Sequence, residues 1–81
     1  MVRLRVLAGG RMRVVTLWRT RDGTYAVRDD QMRLLAEFWA EQDGWWRGEL
    51  ADGTVRRVWV PVREEDEEAA AREVTKRLLS R

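Results

Sequence analysis

The sequence predicts an α+β fold: a small twisted antiparallel β-sheet of about five strands with a C-terminal α-helix packed on it. Glycine-bearing turn signals at Ala8-Gly9-Gly10, Asp22-Gly23 and Asp52-Gly53 separate runs of alternating apolar and polar residues, as in half-buried strands joined by hairpins. Beyond Pro61 the alternation stops, and a charged run carries an apolar stripe at helical spacing. The 81 residues suit one domain, with a β-rich body over 1–62 and a helix over 63–81.

Composition narrows the chemistry. The chain has neither cysteine nor histidine, which removes disulfides, thiolate or imidazole zinc sites and the commonest acid–base catalyst. Five tryptophans supply the apolar area that so short a core needs. No apolar run approaches the roughly 20 residues of a membrane span, and Met1-Val-Arg-Leu-Arg lacks a signal peptide's hydrophobic region. The expectation is a cytoplasmic protein. Net charge is only +2, but residues 1–28 carry seven arginines against Asp22 alone, whereas residues 29–68 carry twelve acids against five arginines.

The first run, Val2–Leu7, puts Val2, Leu4 and Val6 on one side and Arg3 and Arg5 on the other. A two-residue Gly9-Gly10 loop would set Val6 beside Arg13 and mix the faces. A three-residue loop sets Val6 beside Met12 and Leu4 beside Val14, and is the expected register. It brings Arg5 opposite Arg13. A two-residue Asp22-Gly23 turn then pairs Trp18 with Val27. These registers gather Arg3, Arg5, Arg11, Arg13, Arg19, Arg21 and Arg28 on one face, interrupted by Leu7, Val15 and Leu17.

Residues 30–42 read as a second short helix. They have no β-branched residue, Met32, Leu35, Ala36 and Trp39 recur at helical spacing, and Asp29 or Asp30 can cap them. Leu34, Ala36 and Phe38 also alternate as a strand would, and that alternative stands. The next hairpin has the strongest turn signal. A two-residue Asp52-Gly53 turn pairs Leu50 with Val55, Glu49 with Arg56 and Trp46 with Trp59. Turn and flanks echo the earlier hairpin: Trp18-Arg19 before Asp22-Gly23-Thr24, and Trp46-Arg47 before Asp52-Gly53-Thr54.

The helix from Arg63 to Ser80 has acids in its first turn and bases in its last, which suits the macrodipole. Glu68–Arg72 and Glu73–Arg77 are favourable i,i+4 pairs. Ala70, Ala71, Val74 and Leu78 form the stripe that docks on the sheet.

Asp43-Gly-Trp-Trp-Arg-Gly-Glu-Leu50, a short turn and a strand ending in Val60-Pro61-Val62 resemble the central hairpin of SH3 domains. The likeness covers about twenty residues of the 81. It implies a small twisted barrel in which Trp45 lines a groove for proline-rich peptides and Pro61 closes the last long strand. The family's Ala-Leu-Tyr-Asp-Tyr motif is absent, and no tyrosine follows Pro61.

The arginine face is the main functional signal. Guanidinium groups suit phosphate oxygens, and a basic sheet face with nearby aromatics can follow a nucleic-acid backbone and stack bases. The competing expectation is that the acids of 29–43 or Glu64–Glu68 neutralise this face internally. Trp18, Trp39 and one of Trp45 or Trp46 are expected in the core. The alternation of Trp45 and Trp46 leaves one of them outside as an anchor for a protein partner or a second copy, with Trp59 beside them. The acidic runs lack calcium-loop spacing, and Ser80, the only serine, has no base to activate it. The expectation is therefore a binding protein with no catalytic residue, cofactor or metal. It would bind nucleic acid through the seven arginines, or alternatively a protein through Trp45, Trp46 and Trp59.

Overall fold

The computed structural model describes residues 1–61 and 66–80. Six strands run as a consecutive antiparallel meander: β1 Val2–Ala8, β2 Arg11–Arg19, β3 Tyr25–Arg28, β4 Leu34–Ala40, β5 Trp45–Leu50 and β6 Val55–Trp59. The sheet curls, and α1, Glu67–Leu79, fills its hollow. The α+β expectation holds with one strand more than expected. The added strand is β4, where a helix was expected. Ala36 and Phe38 are fully buried while Glu37 between them is exposed, so the period of two decides this stretch. Pairing with β3 on one side and β5 on the other outweighs the helix propensity of its residues.

Asp29, expected to cap a helix, caps a turn. Its Oδ1 accepts backbone N–H bonds from Gln31 (2.8 Å) and Arg33 (2.9 Å), and Met32 takes a positive φ of 63°.

The hairpins correct the expected registers. Gly9 and Gly10 both take positive φ and form the two-residue loop, so Val6 lies opposite Arg13 and Arg5 opposite Val14. The Asp22-Gly23 hairpin has a three-residue loop instead, closed by Thr20 N–H to the Thr24 carbonyl (2.8 Å). It pairs Trp18 with Ala26 and Leu17 with Val27. The two one-residue errors cancel across β2, so β1 and β3 present the expected faces and β2 alone is inverted. Val15 and Leu17 point into the core, and Met12, Val14 and Trp18 point out. The inversion is possible because β2 is apolar on both sides.

The third hairpin repeats the second. Leu50 N–H bonds to the Thr54 carbonyl (2.8 Å), and Asp52 Oδ1 accepts from Thr54 N–H as Asp22 Oδ1 does from Thr24. The internal echo is thus a shared loop geometry. It also shifts β6 by one residue: Trp59 lies opposite Trp45, and Trp46 opposite Val58.

The core gathers on the concave face. Trp46, Phe38 and Tyr25 pack ring against ring at centroid distances of 5.1–6.0 Å, with Val6, Val15, Leu17, Val27 and Ala36 around them. Trp46 Nε1 donates to the Val60 carbonyl (2.8 Å), which satisfies its polar atom in the interior. Helix α1 adds Ala70, Ala71, Val74, Thr75 and Leu78, the expected stripe and one hydroxyl more. The Thr75 hydroxyl returns to the Ala71 carbonyl (2.8 Å) and so costs little. Both i,i+4 pairs form at 3.2 Å. The expected helix start at 63–65, and Val62 at the end of the hairpin expected to resemble that of SH3 domains, lie outside the described residues.

The helix is held at both ends. Near its start, Glu67 accepts the Tyr25 hydroxyl (2.5 Å) and Arg19 Nε (3.3 Å). At its end, Arg56 Nη1 donates to the carbonyls of Leu78 and Ser80 (3.0 Å each), and Arg77 Nη1 to that of Trp59 (2.7 Å). The helix approaches the sheet tightly at Gly48, where an added Cβ would stand 2.6 Å from both Leu78 methyls.

This packing has two measurable consequences. Gly48→Ala should lower stability by about 1–3 kcal/mol through overpacking, and by much less in a Leu78→Ala background where the obstructing methyls are gone. Denaturant titration of the four proteins tests it. The second concerns Tyr25, whose pKa is pushed up to about 12 by burial and then by the Glu67 carboxylate. The folded value lies above the unfolded one, so this contribution is fully present below about pH 10 and lost as pH rises toward 12. A Tyr25→Phe variant should lack that alkaline loss when unfolding midpoints are measured against pH.

Candidate nucleic-acid interface

The convex face can be read row by row from the strand register. Arg3, Thr16 and Arg28 lie side by side across β1–β3, with Arg5 beside Val14 in the next outward row. A long row crosses from Trp18 through Ala26, Glu37 and Glu49 to Val55. Trp39, Arg47 and Arg57 form the next, and Trp45 with Trp59 the last. Four of the five tryptophans therefore occupy the face that the helix does not cover. Trp18, Trp45 and Trp59 are 37%, 40% and 50% exposed, and Trp39 is half-buried.

This placement corrects the expected core. Trp18 and Trp39 are outside it and Trp46 inside, because β2 is inverted and residues 34–40 alternate as a strand. Of the three residues expected to meet a protein partner, Trp45 and Trp59 are available and Trp46 is not.

It also divides the expected arginine face. Arg3, Arg5 and Arg28 stand on the convex side, while Arg11, Arg13 and Arg19 have the parity of the concave side. Arg21 lies in the β2–β3 loop. The expected crowding of Arg5 on Arg13 does not occur, because the two-residue Gly9-Gly10 loop sets them on opposite faces. Of the seven expected arginines, two on the concave side meet acids among the described residues: Arg13 reaches Asp29 (4.0 Å) and Arg19 reaches Glu67 (3.3 Å). Tyr25 and Arg19 together hold the Glu67 carboxyl below its ordinary range.

Arg47 and Arg57 replace the arginines that the convex face loses. They were missed because the face of Arg57 depends on the Asp52-Gly53 register and that of Arg47 on pairing with β4, where a helix was expected. Arg57 stacks over Trp45, 4.9 Å from the ring centroid, and its Nε bonds to Glu41 (2.9 Å). Trp59 is fixed as well. Its Nε1 donates to the Asp43 carbonyl (2.8 Å), and the ring rests against Gly44, where a Cβ would come within 2.9 Å of Nε1. The two rings at this corner are exposed yet held in place, and such rings bind without the entropic cost of ordering them.

Phosphate chemistry suits the arginine corner of β1–β3, and π-stacking suits the tryptophan corner of β4–β6. Among the described residues no group of three or more acidic side chains could hold a metal ion, and no helix is long and apolar enough to cross a membrane. Comparison with known proteins finds no matching family model, no matching curated protein and no matching solved structure. The class is defined by the fold alone: a small curled antiparallel sheet with a C-terminal helix in its hollow.

The division of the tryptophans sets a stability contrast. Trp46→Ala should cost about 3–5 kcal/mol as a core truncation, whereas Trp59→Ala should cost about 1 kcal/mol, the worth of one hydrogen bond and some packing. Chemical denaturation of both variants measures the difference.

Proposed function

We propose that the protein binds single-stranded nucleic acid across its convex face, without catalysis. One observation carries the reading: four tryptophans and five arginines (Arg3, Arg5, Arg28, Arg47 and Arg57) share the sheet face that the helix does not cover. Arginines supply phosphate contacts, and exposed tryptophans supply planes on which unpaired bases stack, at about 1–3 kcal/mol per base. A paired duplex hides those base faces, so the aromatic corner favours single strands. The sites named from sequence are retained in part. Arg3, Arg5 and Arg28 belong to this surface, Arg21 stands at its rim, and Arg11, Arg13 and Arg19 do not take part.

A second reading rests on the exposed apolar side chains Leu7, Met12 and Val14 at the β1–β2 end and on the Trp45–Trp59 pair. Contiguous exposure of this kind also suits a protein partner, whether a second copy or, in the SH3 manner, a proline-rich peptide against Trp45.

Tryptophan fluorescence separates the two. Random-sequence single strands should quench it, with affinity falling by a log–log slope of about 0.7 per phosphate bound as salt rises. Arg3→Gln with Arg5→Gln should flatten that slope by about 0.7 for each phosphate no longer neutralised, while Arg11→Gln on the other face changes it little. Absence of quenching, together with a dimer by light scattering that Trp59→Glu dissolves, would replace this reading with the second.

A further inference from the structure

We infer that Glu37 and Glu49 read the amino groups of unpaired bases, so that the convex face prefers strands containing guanine to strands of thymine alone. The inference rests on the single-strand reading and names the bases it selects.

Glu37 and Glu49 are directly opposed across β4 and β5. Like charges in that position lower stability, and neither carboxylate makes a hydrogen bond or ion pair among the described residues. The other acids near arginines are used differently: Glu41, Asp29 and Glu67 pair with Arg57, Arg13 and Arg19 respectively. Glu37 and Glu49 are thus not the neutralisers of this face. They lie in its middle row, between Trp18 and Val55 and next to Trp39, Arg47 and Arg57.

Carboxylates repel phosphate, so a strand crossing this face sets its backbone against the arginines and its bases over the acids. An ionised carboxylate only accepts hydrogen bonds. Guanine offers two parallel donors, N1–H and the N2 amino group, which match the two carboxylate oxygens. Adenine and cytosine offer one amino group each. Thymine offers a single N3–H between two carbonyl oxygens that a carboxylate repels.

The surface beside Glu37 is open enough to admit a base. A shallow depression of about 360 Å³ is lined by Thr20, Arg21, Asp22, Thr24 and Glu37. Its loop wall is held by the Thr20 hydroxyl, whose single proton lies within hydrogen-bond reach of Asp22 Oδ1 and the Thr24 carbonyl. Arg21 stands at the rim, where the phosphate of the same nucleotide would fall.

The test compares an oligothymidylate with the same strand carrying a central guanine pair, and with inosine in place of guanine to remove the N2 amino group. The guanine strand should bind about tenfold more tightly than oligothymidylate, the scale of one good bidentate base contact, and inosine should lose most of that gain. In Glu37→Gln with Glu49→Gln an amide donor replaces a charged acceptor at each position. The guanine preference should vanish, while oligothymidylate binds no more weakly. Thermal melting checks that this variant is folded, as expected once a like-charge pair is removed. Equal affinity of the parent protein for both strands, or a preference that survives in the double variant, overturns the inference and leaves the single-strand reading standing. No binding of any strand overturns both.

Discussion

Leu78 seated against the bare backbone of Gly48 is the contact through which α1 closes the sheet. A six-stranded meander leaves β1 and β6 as unpaired edges and a hollow between them. The helix fills that hollow, touching β1, β5 and β6. At Gly48 the absence of a side chain leaves room for the Leu78 methyls. Its ends are then held by groups of the sheet: Tyr25 and Arg19 at Glu67, and Arg56 at the carbonyls of Leu78 and Ser80. A domain this small has little core to spare, so the docked helix is part of the minimum. One consequence is functional. With the concave face occupied by α1, the convex face is the sheet surface on which the proposed binding is placed.

The tryptophans divide along the same boundary. Trp46 is buried with its indole N–H satisfied by Val60, and it packs with Phe38 and Tyr25 into an aromatic centre. The other four add little to that centre. Trp45 and Trp59 are nonetheless immobilised, one beneath a guanidinium and one by a bond to a loop carbonyl. The contacts that hold these two rings stabilise the fold modestly and leave much of each ring exposed.

The arginines show how far a site could be read from residues alone. Their excess in the first 28 residues is plain in the sequence, but which of them share a face depends on loop length. Gly-Gly and Asp-Gly each allow two hairpin geometries. A two-residue Gly9-Gly10 loop and three-residue Asp-Gly loops move Arg11, Arg13 and Arg19 to one side and leave Arg3, Arg5 and Arg28 on the other. The three-residue Asp52-Gly53 loop likewise brings Arg57 beside Arg47, which pairing with β4 places on the convex face. Internal neutralisation is therefore partial. The arginines that meet Asp29 and Glu67 are neutralised by the chain, and Arg3, Arg5 and Arg47 have no acidic partner among the described residues.

The sequence by itself determined the α+β class, the turn positions, the hairpin strands and the helix with its apolar stripe. Each of these rests on short-range chemistry: backbone freedom at glycine, alternation at period two, and charges placed along a helix. Only the tertiary structure decided the rest. Residues 34–40 have the propensity of a helix and the alternation of a strand, and strands paired on both sides resolve the conflict. Strand β2 is apolar on both faces, so its own pattern cannot say which face turns inward. The core decides by burying Val15 and Leu17, and a one-residue change of register then exchanges every side chain between the faces.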